Sequence, residues 1–361
     1  MTDPTWFRDQ FPVFERLAFM NAGSEGPIPT CAADAVQERL QTELRDGRGG
    51  RPNFVEVLEL ANRVRAQAAG LLGCDADEVA LTGSTTDGVN VVIAGLELGP
   101  GDEILTTDEE HPGLLAPLAR AQRRLGIAVR CVPWAELADQ VGPRTRLIAC
   151  SHVSWVNGRM IDMPSLIESG VPVLLDGAQG LGAVPVDVRE LGCDFYAASG
   201  QKWLCGPTGS GYLFVKRERH DDLLMPWPSY GSLADPQEPL SSEPAVGAAR
   251  FDVGFPAGIR SAWALASLHL FEEAGWGWVH ERGRALGAQL AQALAERGLE
   301  VSPRGPTTLV SWRTEDAEAQ VELLREQGIV VRHLPGRGLV RASAGAWSSE
   351  EDIERLAQLA A

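Results

Sequence analysis

Pro172-Val-Leu-Leu-Asp-Gly-Ala-Gln179 is the segment that indicates the fold most clearly. Residues 171–176 form a short, almost continuously apolar run, which is typical of a strand covered on both faces. The run ends on Asp176, and open α/β sheets place their ligand contacts at the carboxyl ends of strands. A carboxylate there is equally compatible with capping a turn. The segment therefore predicts a buried strand and leaves the role of Asp176 open.

Similar apolar runs recur on both sides of this strand, with helical or loop stretches between them. This alternation predicts an α/β domain, residues 18–245, with a mostly parallel seven-stranded sheet. The predicted strands are residues 79–82, 103–107, 128–132, 147–152, 171–176, 195–199 and 211–215.

The chain changes character after about residue 225. Residues 226–249 are rich in Pro, Ser, Gly and Glu and are predicted to be a long irregular segment. Beyond them we predict a smaller α+β C-terminal domain, residues 246–361, on which residues 1–17 pack. Its last helix should begin at a capping box formed by Ser348 and Glu351. The predicted helices are residues 259–274, 276–297 and 316–327, and the predicted strands are residues 308–313, 330–332 and 339–343.

Charge and cysteine content argue against several classes of function. The formal net charge of -17 opposes binding to nucleic acids or to an anionic membrane surface. No apolar run approaches the roughly 18 residues of a membrane span, and Asp3, Arg8 and Asp9 interrupt any signal-peptide pattern. The six cysteines are scattered and no histidines cluster at metal-ligand spacing. We therefore predict a cytoplasmic protein with no metal site, nucleic-acid partner or membrane partner.

Lysine is rare in this chain, since only Lys202 and Lys216 occur among 32 basic residues. A desolvated lysine can lose its proton and act as a nucleophilic amine, which arginine cannot do. Lys216 lies in a charged run, where a surface role suffices. Lys202 lies in Ser199-Gly-Gln-Lys-Trp-Leu204, whose apolar neighbours should lower its pKa. Asp176 and Lys202 together fit a pyridoxal-phosphate (PLP) site, with the carboxylate at the pyridine nitrogen and the cofactor held as a Schiff base on the lysine.

Further motifs fit the same site. Gly83-Ser-Thr-Thr86 leads from a strand into a helix, and the N–H groups and hydroxyls there can bind a phosphate, although such residues commonly serve only as caps. His111 follows the strand at 103–107 and could stack on a cofactor ring, the alternative being an ordinary surface histidine. His152, at another strand end, is interpreted as structural.

Six ordered blocks of the sequence resemble the class V aminotransferases of PLP fold type I. The resemblance runs from about Phe19 to the C-terminus and is to the branch with cysteine desulfurase-like, isopenicillin-epimerase-like and C–S lyase members. It implies that fold, the PLP cofactor, an amino-acid substrate and a homodimer with its site near the subunit interface. The blocks are residues 83–90 (Gly-Ser-Thr-Thr-Asp-Gly-Val-Asn), 110–111 (Glu-His), 151–154 (Ser-His-Val-Ser), 176–179 (Asp-Gly-Ala-Gln), 199–202 (Ser-Gly-Gln-Lys) and 340–343 (Val-Arg-Ala-Ser).

The resemblance also implies roles for individual residues. Lys202 would carry the cofactor and move protons, Asp176 would pair with the pyridinium nitrogen, and His111 would stack on the ring. Arg341 would bind the substrate α-carboxylate, and the strip Asn21-Ala-Gly23 would close over the substrate. The implied cofactor-binding residues are Ser84, Thr85, Thr86, His111, Asn157, Asp176, Gln179 (at the phenolic oxygen), Ser199, Gln201 and Lys202.

The sequence departs from the cysteine desulfurases at several positions. Those enzymes carry a mobile catalytic cysteine in the segment that matches residues 332–341, and this chain has no cysteine there. Trp155 stands where they have an asparagine, with Asn157 two positions later. Gln201 replaces a histidine, and Phe255 replaces a threonine that often reaches the phosphate bound by the partner subunit.

These features favour a C–S lyase that eliminates sulfur from a cysteine derivative, through a Schiff base of the substrate and without a persulfide cysteine. One alternative is an aminotransferase or epimerase of an amino acid or natural-product intermediate. Another is a cysteine desulfurase with a relocated nucleophile, for which Cys205 is nearest to Lys202 in sequence, although its place in a tight loop favours packing. A PLP-binding regulator would need a DNA-binding module, which the acidic charge opposes.

Overall fold

The computed structural model describes residues 2–361. Its α-helices are α1 (Pro4–Asp9), α2 (Thr30–Asp46), α3 (Gly50–Leu72), α4 (Thr85–Gly95), α5 (Pro112–Leu125), α6 (Met163–Ile167), α7 (Val188–Leu191), α8 (Gly258–Ala274), α9 (Trp276–Glu296), α10 (Ala317–Glu326) and α11 (Glu350–Ala360). Its strands are β1 (Ala18–Phe19), β2 (Val79–Thr82), β3 (Glu103–Thr107), β4 (Ala128–Val132), β5 (Thr145–Ser151), β6 (Val173–Asp176), β7 (Phe195–Ser199), β8 (Gly211–Val215), β9 (Leu309–Arg313), β10 (Ile329–Val330), β11 (Arg332–Leu334) and β12 (Leu339–Ser343).

A seven-stranded sheet, in the order β2-β8-β7-β6-β5-β3-β4, forms the centre of the described chain. The strands from β7 to β4 pair in parallel, and β8 is antiparallel to both of its neighbours. The predicted mostly parallel sheet is confirmed. Strand β5 begins earlier than predicted, at Thr145, and β6 begins later, at Val173, because Pro172 has no N–H to donate to a ladder.

Both faces of this sheet are covered, which explains the continuous apolar strands. Leu175 belongs to the core under α3 and α8, together with Leu268. Leu174 belongs to the opposite core under α4 and α5, together with Leu118. Because side chains alternate along a strand, Asp176 lies on the same face as Leu174, the face that α4 covers.

A smaller antiparallel sheet, in the order β11-β12-β9, lies in the C-terminal part. Its core includes Leu290, Trp312, Val340 and Leu356. The predicted strand at residues 330–332 is wrong as a single element. The chain changes partner at Val331, because β10 pairs with β1 whereas β11 pairs with β12.

The start of the last helix also differs from the prediction. Ser349, one residue later than expected, accepts a hydrogen bond from the N–H of Asp352, whose side chain accepts from the N–H of Ser349 in return. Ser348 is buried, and its hydroxyl has no hydrogen-bond partner among residues 2–361. The capping box is therefore Ser349 with Asp352.

The division into residues 18–245 and 246–361 stays a proposal, because several elements link the two parts. Helix α8 packs against α2 and α3. Strand β1, at residues 18–19, pairs with β10 of the C-terminal part. In the N-terminal segment, Arg8 forms an ion pair with Asp352 at 2.6 Å, and Phe7 lies edge-on to Phe271.

The segment 226–249 has the irregular form that its composition predicts. Its regular structure is confined to short 3-10 turns such as Tyr230–Ser232 and to an isolated bridge between Leu233 and Pro244. Across residues 2–361, no helix combines the length and the apolar character that crossing a bilayer would require.

Candidate active site

The carboxyl ends of β6 and β7 bring Asp176 and Lys202 to one cavity. Asp176 is the last residue of β6, and Lys202 lies in the loop after β7. Both line a cavity of about 610 Å³. Burial raises the pKa of the Asp176 carboxyl, and the charge of Lys202 and a hydrogen bond from the N–H of Ala178 oppose that rise. The carboxylate and the amine are thus close enough to influence each other.

Lys202 has an environment that favours its reactive form. Burial lowers the pKa of its amine to about 8, Asp176 opposes this change, and the charges of Arg341 and Arg332 add to it. Since the neutral amine is the form that attacks carbonyl carbons, the lowered pKa increases the fraction of Lys202 in its reactive form near neutral pH.

The start of helix α4 carries hydroxyl groups that face the next strand end. Ser84 is the N-cap and accepts a hydrogen bond from the N–H of Asp87. Thr85 Oγ1 and Ser199 Oγ lie 2.6 Å apart, and Thr86 also lines the cavity. Free N–H groups at the start of a helix, with hydroxyls beside them, are typical of a phosphate-binding site.

His111 is the N-cap of helix α5, where its Nδ1 accepts a hydrogen bond from the N–H of Gly113 at 3.0 Å. Burial lowers the pKa of its imidazole to about 4, and the charges of Lys202, Arg332 and Arg341 act in the same direction. The ring of Trp155 lies edge-on to it, with the ring centroids 5.0 Å apart. His111 is therefore a neutral, oriented ring at the cavity wall, suited to stacking.

Gln179 is held at both ends of its amide. Its Nε2 donates to the carbonyl of Gly23 at 2.8 Å, and its Oε1 accepts from the indole N–H of Trp203 at 3.0 Å. Since an amide nitrogen carries a second hydrogen, Gln179 keeps one donor for a ligand. The bond to Gly23 also joins the strip at residues 21–23 to the end of β6.

Arg341 lies on β12 and is 1% exposed. Its Nη1 donates to the carbonyl of Trp155 at 2.7 Å, while its buried Nε and Nη2 have no partner among the described residues. Gly23 passes so close that a Cβ there would lie 2.7 Å from Nη2. An unpaired buried guanidinium beside a closely packed strip is typical of a site for a carboxylate.

The structure brings together all the predicted site residues except one. The exception is Asn157, which lies outside the cavity lining. Its Nδ2 donates to Oε2 of the buried Glu109 carboxylate at 3.2 Å. The structure does not bring Asn157 to the cavity with the others, and its cofactor contact stays a prediction. The side-chain amide of Asn157 is held instead by the carboxylate of Glu109, which also forms an ion pair with Arg159. The cavity is lined by Phe19, Asn21, Gly23, Ser24, Glu25, Ser84, Thr85, Thr86, His111, Trp155, Asp176, Ala178, Gln179, Ser199, Gln201, Lys202, Arg332 and Arg341.

Sequence reasoning assigned no role to Arg332, which lies at the cavity, or to Glu110, which lies behind its wall. Arg332 lines the cavity and donates to Ser24 Oγ at 3.2 Å. Glu110 is 2% exposed, and burial raises the pKa of its carboxyl to about 7. Its Oε1 accepts from the N–H of Ser151, whose backbone pairs with Asp176 on the next strand. The available signals in the sequence are that Glu110 lies within a block that resembles the family and that Arg332 begins the segment, residues 332–341, that matches the cysteine-bearing segment of the desulfurases.

His152 has the structural role that was predicted for it. It is 1% exposed, and its Nδ1 lies 3.0 Å from the hydroxyl of Tyr196.

Comparison with known proteins identifies the family. The family model described as Aminotransferase class-V matches residues 19–356. The chain belongs to the class V aminotransferase family. An isopenicillin N epimerase of Amycolatopsis lactamdurans is 31% identical over 97% of this chain and 96% of its own length. Cysteine desulfurase CsdA of Escherichia coli is 28% identical over 98% and 96%.

Solved structures of class V relatives share the whole fold. The cystine C–S lyase C-DES, in complex with its reaction product cysteine persulfide, aligns with a TM-score of 0.91 at 28% identity, over 97% of this chain and 99% of that one. A mutant of C-DES with glycine covalently linked to its PLP cofactor aligns with a TM-score of 0.92 at 28% identity, over 98% of both chains. The present chain is accordingly a PLP-dependent enzyme of fold type I.

The residues at the cavity fit PLP. Hydroxyls at the start of α4 suit its phosphate, Asp176 suits the pyridine nitrogen, and the buried amine of Lys202 suits the aldehyde carbon. The buried Oε1 of Gln201 and two nitrogens of Arg341 have no hydrogen-bond partner among residues 2–361. Because unpaired buried polar atoms are costly, these atoms indicate that a polar ligand completes the site.

Proposed function

We propose that the protein is a C–S lyase that eliminates a thiol from an S-substituted cysteine without forming a protein persulfide. The main support is the hairpin of β11 and β12. Arg332 pairs with Arg341, and Leu334 with Leu339, so that only residues 335–338 are left for the turn. This segment, where the desulfurases carry a mobile cysteine, is a closed ladder with no cysteine in it.

The remaining cysteines offer no replacement nucleophile. Of the residues that the structure describes, no cysteine lines the cavity. Cys205 is 1% exposed, and burial raises the pKa of its thiol well above the ordinary value. Since the thiolate is the reactive form, Cys205 is a packing residue, and its carbonyl accepts hydrogen bonds from Trp263 and Ser267.

The side chains at the site have complementary tasks in such an elimination. When bound, PLP withdraws electrons from the substrate's α-carbon, so that the C–H bond there and then the Cβ–S bond can break. Lys202 takes the α-proton on its Nζ and returns a proton to the products. Arg341 holds the α-carboxylate, and Asp176 supplies the negative charge at the pyridine nitrogen. With one water consumed, the balance is one thiol, one pyruvate and one ammonium per substrate.

A panel assay tests this proposal. The enzyme with PLP should be given S-substituted cysteines and ordinary amino acids, and thiol, pyruvate and ammonium should be measured. Equal amounts of the three products from a cysteine derivative are expected. A keto acid that keeps the substrate's carbon skeleton would indicate transamination, and appearance of the D-amino acid would indicate epimerisation. Either result, without pyruvate, would overturn the proposal.

The second candidate is an epimerase or aminotransferase. It is favoured by one finding, the 31% identity over almost the full chain to a protein named isopenicillin N epimerase. In that case Lys202 would still move the α-proton, but Cβ of the substrate would keep its substituent. The same panel distinguishes the two functions.

We also propose a homodimer in the cytoplasm. An aromatic cluster of Phe54, Tyr230 and Phe255 lies at the surface, with Tyr230 61% and Phe255 52% exposed. Contiguous exposed aromatic surface is typical of protein interfaces. The six free cysteines are compatible with a reducing compartment. Light scattering coupled to size-exclusion chromatography should give about twice the mass of the chain, and a monomer would contradict the proposal.

A further inference from the structure

Glu25 adds a second carboxylate to the lining of the active-site cavity. The first carboxylate, that of Asp176, is buried, whereas Glu25 is exposed and therefore lies at the mouth of the cavity. The other charged side chains of the lining are three cations, Lys202, Arg332 and Arg341. The lyase reaction gives a task to Asp176, Lys202 and Arg341 but none to Glu25.

The chain around Glu25 is fixed against the loop that carries the reactive lysine. The N–H of Gly26 donates to the carbonyl of Gln201 at 2.8 Å, directly before Lys202. The two segments pass so closely that a Cβ at residue 26 would overlap the carbonyl oxygen of Lys202. The carboxylate of Glu25 accepts a hydrogen bond from the hydroxyl of Thr208 at 3.2 Å. Glu25 is thus held at the cavity by its neighbour's backbone and by its own side chain.

The carboxylate of Glu25 has no cationic partner in the described chain. Among residues 2–361, no Lys, Arg or His nitrogen lies within 4.0 Å of it. Arg332 reaches the same strip of the chain, but it donates to the neutral hydroxyl of Ser24 and not to the carboxylate next to it. The negative charge of Glu25 is therefore available to a ligand.

The groups that every amino-acid substrate brings to the site do not match this charge. The phosphate of PLP and the α-carboxylate of the substrate are both anionic, and the α-amino group reacts with the cofactor. The side chain of the substrate is the remaining part that can reach the mouth. Since like charges repel and opposite charges attract, a side chain that ends in a cation fits Glu25 best.

We propose that Glu25 binds a cationic group at the far end of the substrate's side chain. Resting on the proposed lyase function, this names the substrate class as cysteine derivatives whose sulfur carries an aminoalkyl group, such as S-(2-aminoethyl)cysteine. Exposed ion pairs are weak partly because both side chains must be ordered. The hydrogen bond from Thr208 already restrains Glu25, which lowers that cost.

A binding experiment tests this contact independently of the reaction. Free lysine is the carbon analogue of S-(2-aminoethyl)cysteine and has no sulfur to eliminate, and 6-hydroxynorleucine has a neutral hydroxyl in place of its terminal ammonium. Dissociation constants of both should be measured by calorimetry on the PLP-loaded enzyme at low salt. Lysine is expected to bind about two- to fivefold more tightly, the usual effect of an exposed ion pair. Glu25→Gln should remove this preference.

A matched variant separates the local contact from long-range attraction. The net charge of -17 favours a cationic ligand anywhere on the protein. Glu136→Gln removes an exposed carboxylate that lies outside the cavity lining, and this variant should keep the preference for lysine. Equal binding of the two ligands to the unmodified enzyme would overturn the proposal. So would a preference that survives in Glu25→Gln or disappears equally in Glu136→Gln.

The failure of this proposal is distinguishable from the failure of the lyase function. Lysine-selective binding that depends on Glu25, without pyruvate formation from S-(2-aminoethyl)cysteine, would support the contact and reject only the lyase function. Pyruvate formation from S-alkyl cysteines by an enzyme that binds lysine and 6-hydroxynorleucine equally would support the lyase function and overturn only the contact.

Discussion

Thr85 and Ser199 are far apart in sequence, yet their hydroxyl oxygens lie 2.6 Å apart in the structure. One hydroxyl belongs to the first residue of α4 and the other to the last residue of β7. The contact joins a helix start, with its free N–H groups, to a strand end that leads directly to Lys202. The contact thereby fixes the position of the proposed phosphate-binding residues relative to the loop that carries Lys202.

This relationship predicts that both hydroxyls contribute to PLP affinity. Thr85→Val and Ser199→Ala should each raise the dissociation constant of PLP by roughly ten- to a hundredfold, the usual effect of losing a hydrogen bond to a charged group. The dissociation constant is measured by titrating the apoenzyme with PLP while the protein fluorescence is monitored. Thr106→Val is the matched control, because the hydroxyl of Thr106 is buried without a partner. Unchanged affinity in both site variants would contradict the assignment.

Lys202 is predicted to be the point of covalent attachment. The purified enzyme should show a visible absorption band, and borohydride should fix the cofactor to a peptide that contains Lys202. Lys202→Ala should lack the band, while Lys216→Ala, which changes the one other lysine, should keep it. Mass spectrometry of the reduced protein distinguishes the two sites. A reduced adduct on Lys216 would refute the assignment.

The pKa of Lys202 is predicted to set the pH dependence of PLP attachment, and Asp176 is predicted to shift it. Because only the neutral amine reacts and burial lowers the pKa of Lys202 to about 8, the rate at which PLP attaches to the apoenzyme should rise with pH and level off above about 8. Asp176 opposes that decrease, so Asp176→Asn should move the midpoint to lower pH. Stopped-flow absorbance between about pH 6 and 10 measures both, with the exposed Asp162→Asn as control. A midpoint near the ordinary 10.5 would contradict the burial of Lys202.

Asp176→Asn should also impair turnover. A neutral amide does not stabilise a protonated pyridine nitrogen, so kcat should fall by roughly a hundredfold or more, in the range seen when one preorganised electrostatic contact is lost. PLP should remain bound, which the visible band checks. Wild-type kcat in this variant would show that the carboxylate does not act on the ring.

Turnover is predicted to need no cysteine. Each of the six cysteines should be replaced by alanine in turn and assayed with the best substrate of the panel. All variants should keep activity within a fewfold of the parent, because none of these thiols lines the cavity. Loss of turnover in Cys205→Ala, with PLP binding intact, would instead support a desulfurase with a relocated nucleophile.

The sheet and the centre of the site follow from the amino-acid sequence alone. Apolar runs bounded by turns report strands buried on both faces, and parallel strands bring their carboxyl ends to one edge, so Asp176, Ser199 and Lys202 are expected at the same place. The scarcity of lysine separates Lys202 from ordinary surface charges. These features depend on local pattern and on one general rule of sheet topology.

The side chains that face the ligand from the connecting segments depend instead on tertiary contacts. Asn157 turns away from the cavity because the buried carboxylate of Glu109 takes its amide. Arg332 enters the cavity because the change of partner at Val331 starts a new strand whose first residue is opposite Arg341. Hydrophobic periodicity reports burial, but strand register and the pairing of buried charges depend on residues distant in sequence, so neither outcome follows from local pattern.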